Sequence, residues 1–391
     1  MKRFVLNVAV GSVAALLLLG ATTSAVAQPS PTGVSHRAAH VCAAPTAGSA
    51  ACDALVVLDA TGKPLATATP NGYGPADIQS AYGLGSSSSG GRTVAIVDAY
   101  NDPTAESDLA VYRAQYGLPP CTKASGCFRK VNQNGGTKLP QTNSGWATEI
   151  SLDLDMVSAA CPDCKILLVE ASSASFANLG AAVNYAATQA GVTAISNSYG
   201  GSDSSQIAAY NHPGIAITAS TGDSGYGVQS PASFDSVVAV GGTSLRKDSS
   251  LRGWTESAWS GAGSGCSTLN AKPAWQSAAT QCSGKANADV SAVADPNTGV
   301  AVYDSTPNQG RSGWQVYGGT SASSPIIASV YALSGNTTGD YPASYTWAHA
   351  TGLNDVTTGA NGTCPTTVWC TSSTGWDGPT GLGTPNGTTA F

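Results

Sequence analysis

The sequence predicts an α/β fold, with a mostly parallel sheet covered by helices on both faces. Five short apolar runs read as strands buried on both sides: TVAIVDAY at 93–100, KILLVEA at 165–171, VTAISNSYG at 192–200, GIAITAS at 214–220 and SVVAVGG at 236–242. Stretches with helical spacing lie among them, AESDLAVYRAQYG, TEISLDLDMVSAA and SFANLGAAVNYAATQAG. Strands that alternate with helices build parallel sheets. Sites in such sheets form beyond the carboxyl ends of the strands. Asp98, Ser196 with Asn197, and Asp223 stand at or just past those ends.

The elements follow in chain order. Lys2 and Arg3 precede an apolar run, and Ala25 and Ala27 form a small-x-small cleavage site before Gln28. Residues 1–27 are expected to be a signal peptide that exports the chain. Residues 28–72 are rich in Ala, Thr and Pro, with one short apolar run, ALVVLDATG, of strand character. They are expected to form a short pro-region or an N-terminal extension. A Pro-initiated helix in YGPADIQSAYGL opens the main domain, 73–391. No later stretch is apolar enough to span a bilayer.

Composition narrows the class. With 23 acidic and 17 basic residues and no basic run, the chain offers no nucleic-acid surface. The ten cysteines suit an oxidising compartment and fall in close pairs: 42/52, 121/127, 161/164, 266/282 and 364/370. Five local disulfides are the simplest reading. CPDC at 161–164 also has the form of a redox motif. A zinc site would need further ligands that do not stand nearby.

Three motifs carry chemistry. GGTSASSP at 318–325 leads into an apolar helical run, placing Ser321 at or just before a helix start and Pro325 in the first turn. Alone, Ser321 is as good an N-cap as a nucleophile. A nucleophilic serine needs a base, yet His36, His40, His212 and His349 stand in no expected base motif. In GWATEISLDLDM, Glu149 and Asp153 are four apart and share a helical face. In a dry site such carboxyls share a proton and titrate together; in water they are an ordinary acidic face. Asp155 points roughly 240° away from Glu149 and reads as supporting or solvent-facing. TASTGDSGYG at 218–227 carries Asp223 in a Gly-rich turn.

EISLD, STGDSG and GGTSASSP, in this order, resemble the sedolisin family, the serine-carboxyl peptidases. The likeness runs from about residue 73 to about 385. It implies a subtilisin-like three-layer fold and a secreted peptidase acting on polypeptides under acidic conditions. Glu149, Asp153 and Ser321 would form the triad, with Asp223 at the oxyanion hole. One structural calcium is implied near the C-terminus, on Asp355, Val356, Ser373, Gly375 and Asp377. The enzyme is expected to be a monomer, with neither nucleic acid nor, after leader removal, membrane as partner. The family's large N-terminal propeptide has only the short segment 28–72 as its counterpart. The rival readings are a catalytically silent secreted binding protein on the same fold and a serine esterase, although GGTSAS is not a GxSxG elbow.

Overall fold

A computed structural model describes residues 1–2, 36–336 and 341–391. The expected leader and residues 28–35 lie, apart from residues 1 and 2, outside the described residues. An eight-stranded sheet forms the centre. Its strands are β1 (Thr93–Ala99), β2 (Phe128–Asn132), β3 (Lys165–Ala171), β4 (Val192–Asn197), β5 (Ala216–Ser220), β6 (Val238–Lys247), β7 (Trp254–Ala258) and β8 (Val290–Val293). The order is β7-β6-β5-β4-β1-β3-β2, with β8 also paired to β6. Every pairing is parallel except β6 with β7. The five apolar runs supply β1 and β3 to β6. Their side chains point into both covering layers, which is why they read as continuous rather than alternating.

The helices are α1 (Pro75–Tyr82), α2 (Ala105–Gln115), α3 (Ser144–Ala160), α4 (Phe176–Ala187), α5 (Thr320–Ser334) and α6 (Pro342–Ala348). Helix α3 is buried from Gly145 to Ala160. It packs against α1, α2, α5, β1 and the strand Val300–Asn308. A helix enclosed on all sides is expected to be apolar all round, so its three acidic residues must answer to something other than water. Asn143 starts it, its side chain accepting the Trp146 N–H.

Helix α5 begins at Thr320, so Pro325 is its sixth residue and not part of the first turn. The expected position is corrected, and the physical reason is local. A proline inside a helix removes its own bond to the carbonyl four residues back and crowds that carbonyl, here that of Ser321. That carbonyl instead lies 3.3 Å from the Ser198 hydroxyl, which donates to it.

All five close cysteine pairs are disulfides, spanning 3 to 16 residues of sequence. Cys161 and Cys164 are both buried, which denies an exchange partner access. The redox reading of CPDC therefore finds no support.

Residues 36–72 are built into the body. Ala38–His40 pairs with Leu55–Val57, which continues onto Arg311–Gly318. Ala51–Cys52 pairs antiparallel with Tyr199–Ser202, just past the end of β4. Among the described residues, no helix is long and apolar enough to cross a membrane.

Candidate active site

The site lies where α3 and α5 meet at the carboxyl ends of β1, β4 and β5. Glu149, Asp153 and Ser321 are all fully buried. Helix α3 presents the two carboxyls one turn apart, and α5 presents Ser321 as its second residue. The Ser321 N–H is therefore among the first-turn donors without an intrahelical acceptor. The Ser321 hydroxyl donates to the Ser198 carbonyl at 3.2 Å. It also lies close enough to Glu149 to favour that carboxylate's charged form.

Asp153 is held by the Ser198 hydroxyl, 2.7 and 2.9 Å from its two oxygens. Neither oxygen of Glu149 has a hydrogen-bond partner, and the same holds for Asp98 at the end of β1. Burial raises the pKa of Glu149 well above its ordinary value, and the charges of Asp153 and Asp98 add to the effect. Asp153 is raised likewise by burial and by Asp98. Asp98 is raised by burial and by Glu170. Buried carboxyls without cations beside them hold protons rather than charges. The arrangement is thus a proton reservoir placed against a hydroxyl. Asp98 belongs to it through its charge, which bears on both Glu149 and Asp153.

Asp223 sits across the cleft in the turn after β5. Its Oδ1 accepts both the Thr320 N–H and the Thr320 hydroxyl, each at 2.8 Å. Its Oδ2 is buried without a partner. Burial, then the neighbouring Asp53, raises its pKa well above the usual carboxylate value. With donors crowded on Oδ1, the proton belongs on Oδ2, which becomes a hydrogen-bond donor. Gly319 precedes Thr320 with φ of 96°. A Cβ there would collide with Asp223 Oδ2 and the Asp53 carbonyl, so glycine is required both for the turn and for the close approach.

Other sequence readings resolve differently. Asp155 is buried at 1 % exposure, and its carboxylate accepts the Tyr303 N–H at 3.0 Å. It supports the fold and does not face solvent. Ser196 and Asn197 are buried braces: Ser196 meets Ser324 and Asn197 donates to the Thr218 carbonyl. Gly200 lines the cleft, whereas Ser198 is fully buried beneath it. Asp53 and Gln229, which the sequence did not single out, line it too. No histidine hydrogen-bonds to Ser321, Glu149 or Asp153: His212 meets Asn184, His349 meets Tyr345, and His40 lines the cleft near Asp53 and Asp223.

The C-terminal loops come together as well. Asp355 is exposed and accepts the Gly375 N–H at 2.9 Å. Asp377 is buried and accepts from Ser372, Ser373 and Thr380. Burial raises the Asp377 pKa to about 7.

The buried acids dictate how stability depends on pH. Burial raises Glu170 and Asp304 to about 7, alongside the larger shifts at Glu149, Asp153, Asp98 and Asp223. Unfolded carboxyls titrate near pH 4. The native chain therefore holds protons that the unfolded chain releases above that pH. This contribution to stability is fully present below about pH 4 and is lost as pH rises toward 7 and beyond. Thermal melts at pH 4, 5.5 and 7 are expected to show a falling Tm; a Tm that rises over this range would contradict the assignment of protons.

The subtilase family model matches residues 134–363. Kumamolisin from Bacillus sp. (strain MN-32) is 30% identical over 365 residues, covering 82% of this chain and 63% of that protein. Sedolisin from Pseudomonas sp. (strain 101) is 26% identical over 367 residues, covering 82% and 61%. This chain thus spans about three-fifths of the length of these curated relatives. Among solved structures, Pseudomonas sedolisin in complex with pseudo-iodotyrostatin superposes with a TM-score of 0.68 at 24% identity, covering 81% of this chain and 96% of that one. Sphericase does so at 0.51 and 18%, covering 78% and 96%. These structural likenesses bear on the fold, which is the subtilisin-like three-layer arrangement.

Proposed function

Because the chain belongs to the subtilase family, on its sedolisin branch, we propose that it is a secreted serine-carboxyl endopeptidase cutting polypeptides under acidic conditions. The observation that supports this most is the full burial of Glu149 and Asp153 on the helix that packs against the Ser321 helix. Ser321 attacks the peptide carbonyl, and Glu149 takes its proton in the form of the pair whose single shared proton rests on Asp153. Asp153, steadied by Ser198, shares the proton load and keeps Glu149 basic enough to act. Charge develops on the carbonyl oxygen, where the Asp223 carboxyl proton and the Ser321 N–H donate. Glu149 returns the proton to the leaving amine, and water repeats the cycle on the acyl-enzyme. One chain supplies every group named, which fits a monomer.

The test is direct. An unfolded, unmodified protein substrate is incubated with the enzyme at steps from pH 2 to 8, and the products are read by mass spectrometry. Internal cleavage is expected below neutral pH. Its absence at every pH would favour the silent binding protein. Hydrolysis of esters alone would favour the esterase.

A calcium ion on the C-terminal loops is part of the proposal. Asp355 and the loop 373–377 lie side by side. They offer carboxylates with the carbonyls of Val356, Ser373 and Gly375, an all-oxygen set suited to calcium. The donors already on Asp377 make it the loop's anchor and leave the exposed Asp355 as the more open ligand. The ion would fasten the two loops and takes no part in the chemistry. Chelation is expected to lower Tm by several degrees, and Asp355→Ala to abolish that response; an unchanged melt after verified metal removal would overturn the site.

A further inference from the structure

The groove that would receive a substrate is crossed by the chain's own residues 50–54. Ala51 and Cys52 pair antiparallel with Gly200 and Tyr199. The Asp53 N–H donates to the Ser198 carbonyl at 3.2 Å. That same carbonyl accepts the Ser321 hydroxyl at 3.2 Å. One acceptor therefore brings the backbone of Asp53 and the nucleophile together. On its other side, the Asp53 carbonyl oxygen lies against Gly319, where Asp223 Oδ2 also lies. An extended strand added to a cleft edge, with one carbonyl beside the nucleophile and the oxyanion donors, is the posture of a bound substrate.

The side chain of Asp53 occupies a built pocket. It is 6 % exposed. One carboxyl oxygen, Oδ2, accepts from Ser220 Oγ at 2.7 Å and from Gln229 Nε2 at 2.6 Å. The Gln229 side chain is itself fixed between Gly200 and Gly222, at each of which a Cβ would collide with it. Two converging donors recognise a carbonyl-type oxygen, as found in a neutral carboxyl or a carboxamide. Burial raises the Asp53 pKa to about 7, against the opposing effect of its two hydrogen bonds.

We propose that residues 50–54 lie in the cleft as an intramolecular substrate, that Asp53–Ala54 is the bond presented to Ser321, and that Ser220 and Gln229 form the pocket selecting the residue on its acyl side. The proposal rests on the peptidase reading. In the reaction, Ser321 Oγ forms an ester with the Asp53 carbonyl carbon as the bond to the Ala54 nitrogen breaks. The hydroxyl proton passes through Glu149 to the Ala54 amine. Water then hydrolyses the ester, leaving Asp53 as a free carboxyl terminus. The Cys42–Cys52 disulfide lies wholly upstream of this bond, so no covalent tie holds the segment to the body afterwards. Until it leaves, Ala51 and Cys52 occupy the pairing edge of Gly200 and Tyr199, which admits no second strand there. The preferred external substrates would carry Asp or Asn before the scissile bond.

The full chain and its Ser321→Ala variant are purified near neutral pH, acidified, and followed by intact mass and N-terminal sequencing. A new N-terminus at Ala54 in the first, absent from the second, is expected. Peptides with the sequence of residues 48–57 and Asp, Asn, Ala, Arg or Phe at the position of Asp53 are assayed alongside an unfolded protein substrate. Asp and Asn are expected to be cut fastest, and Gln229→Leu to lower the ratio of kcat/KM for the Asp peptide to that for the Ala peptide about tenfold. If the protein substrate is cut while Asp53–Ala54 stays intact in fully active enzyme, or if Phe and Asp peptides are cut equally, the inference falls and the peptidase reading stands. If nothing is cut by the Ser321 enzyme, both fall together.

Discussion

Ser321→Ala is expected to lower kcat/KM toward a peptide substrate by on the order of 10⁵-fold or more, measured near pH 4. The variant removes the attacking oxygen together with its hydrogen bond to the Ser198 carbonyl. Glu149→Gln keeps the volume and loses the proton acceptor, and its loss is expected to be of similar order. The informative measurement is the double variant. A nucleophile and its base act as one unit, so Ser321→Ala with Glu149→Gln is expected to be no worse than Ser321→Ala alone. A double variant that multiplied the two losses would mean that Glu149 acts on substrate independently of Ser321. Thermal melts of both variants separate these losses from unfolding. Glu149→Gln also puts a permanently neutral group where burial already favours one, so its Tm is expected to hold or rise at pH 7.

Asp223 gives the second large effect. Asp223→Ala removes a donor from the developing oxyanion, and kcat is expected to fall about 10²- to 10³-fold. Asp223→Asn discriminates further. The amide oxygen can take the two Thr320 donors that Oδ1 accepts, and the amide nitrogen then stands where Oδ2 carries its proton. This variant keeps a donor that does not titrate. On the proposed mechanism, the donor of the unsubstituted chain is present below the raised pKa of Asp223 and would become a carboxylate, repelling the oxyanion, as pH rises through it. The alkaline fall of kcat is therefore expected to move to higher pH in Asp223→Asn. An unmoved alkaline limb would assign that limb to the Glu149–Asp153–Asp98 group instead.

The strands that proved easiest to read are those whose environment is simplest. β1 and β3 to β6 lie between two layers and are apolar throughout. β2 reads FRKVN because only Phe128 and Val131 are buried on this edge strand. β7 and β8 are short, and their residues, WTESA and VSAV, carry no distinctive period. The site divides in the same way. Glu149 and Asp153 are visible because a four-residue spacing is local, and Ser321 because a Gly-Gly turn announces a helix start. The depth of Asp155 was hidden, since burial on every side of α3 comes from five other elements and not from its own period. Asp53 left no local trace. Its partners Ser220, Gln229 and Gly319 stand far along the chain, and only the folded sheet brings a segment read as a short pro-region or N-terminal extension across the cleft. Pro325 misled through its usual preference for a first turn, which the Ser198 hydroxyl makes unnecessary here.

The short span of the disulfides has a practical bearing on proteolytic mapping. The widest links Cys266 to Cys282, and none joins distant parts of the chain. A backbone break outside those five small loops leaves fragments that no covalent bond connects. Denaturing gels run with and without reductant will then show the same bands. A band that appears only with reductant locates its break inside one of five intervals, the longest of them between residues 266 and 282.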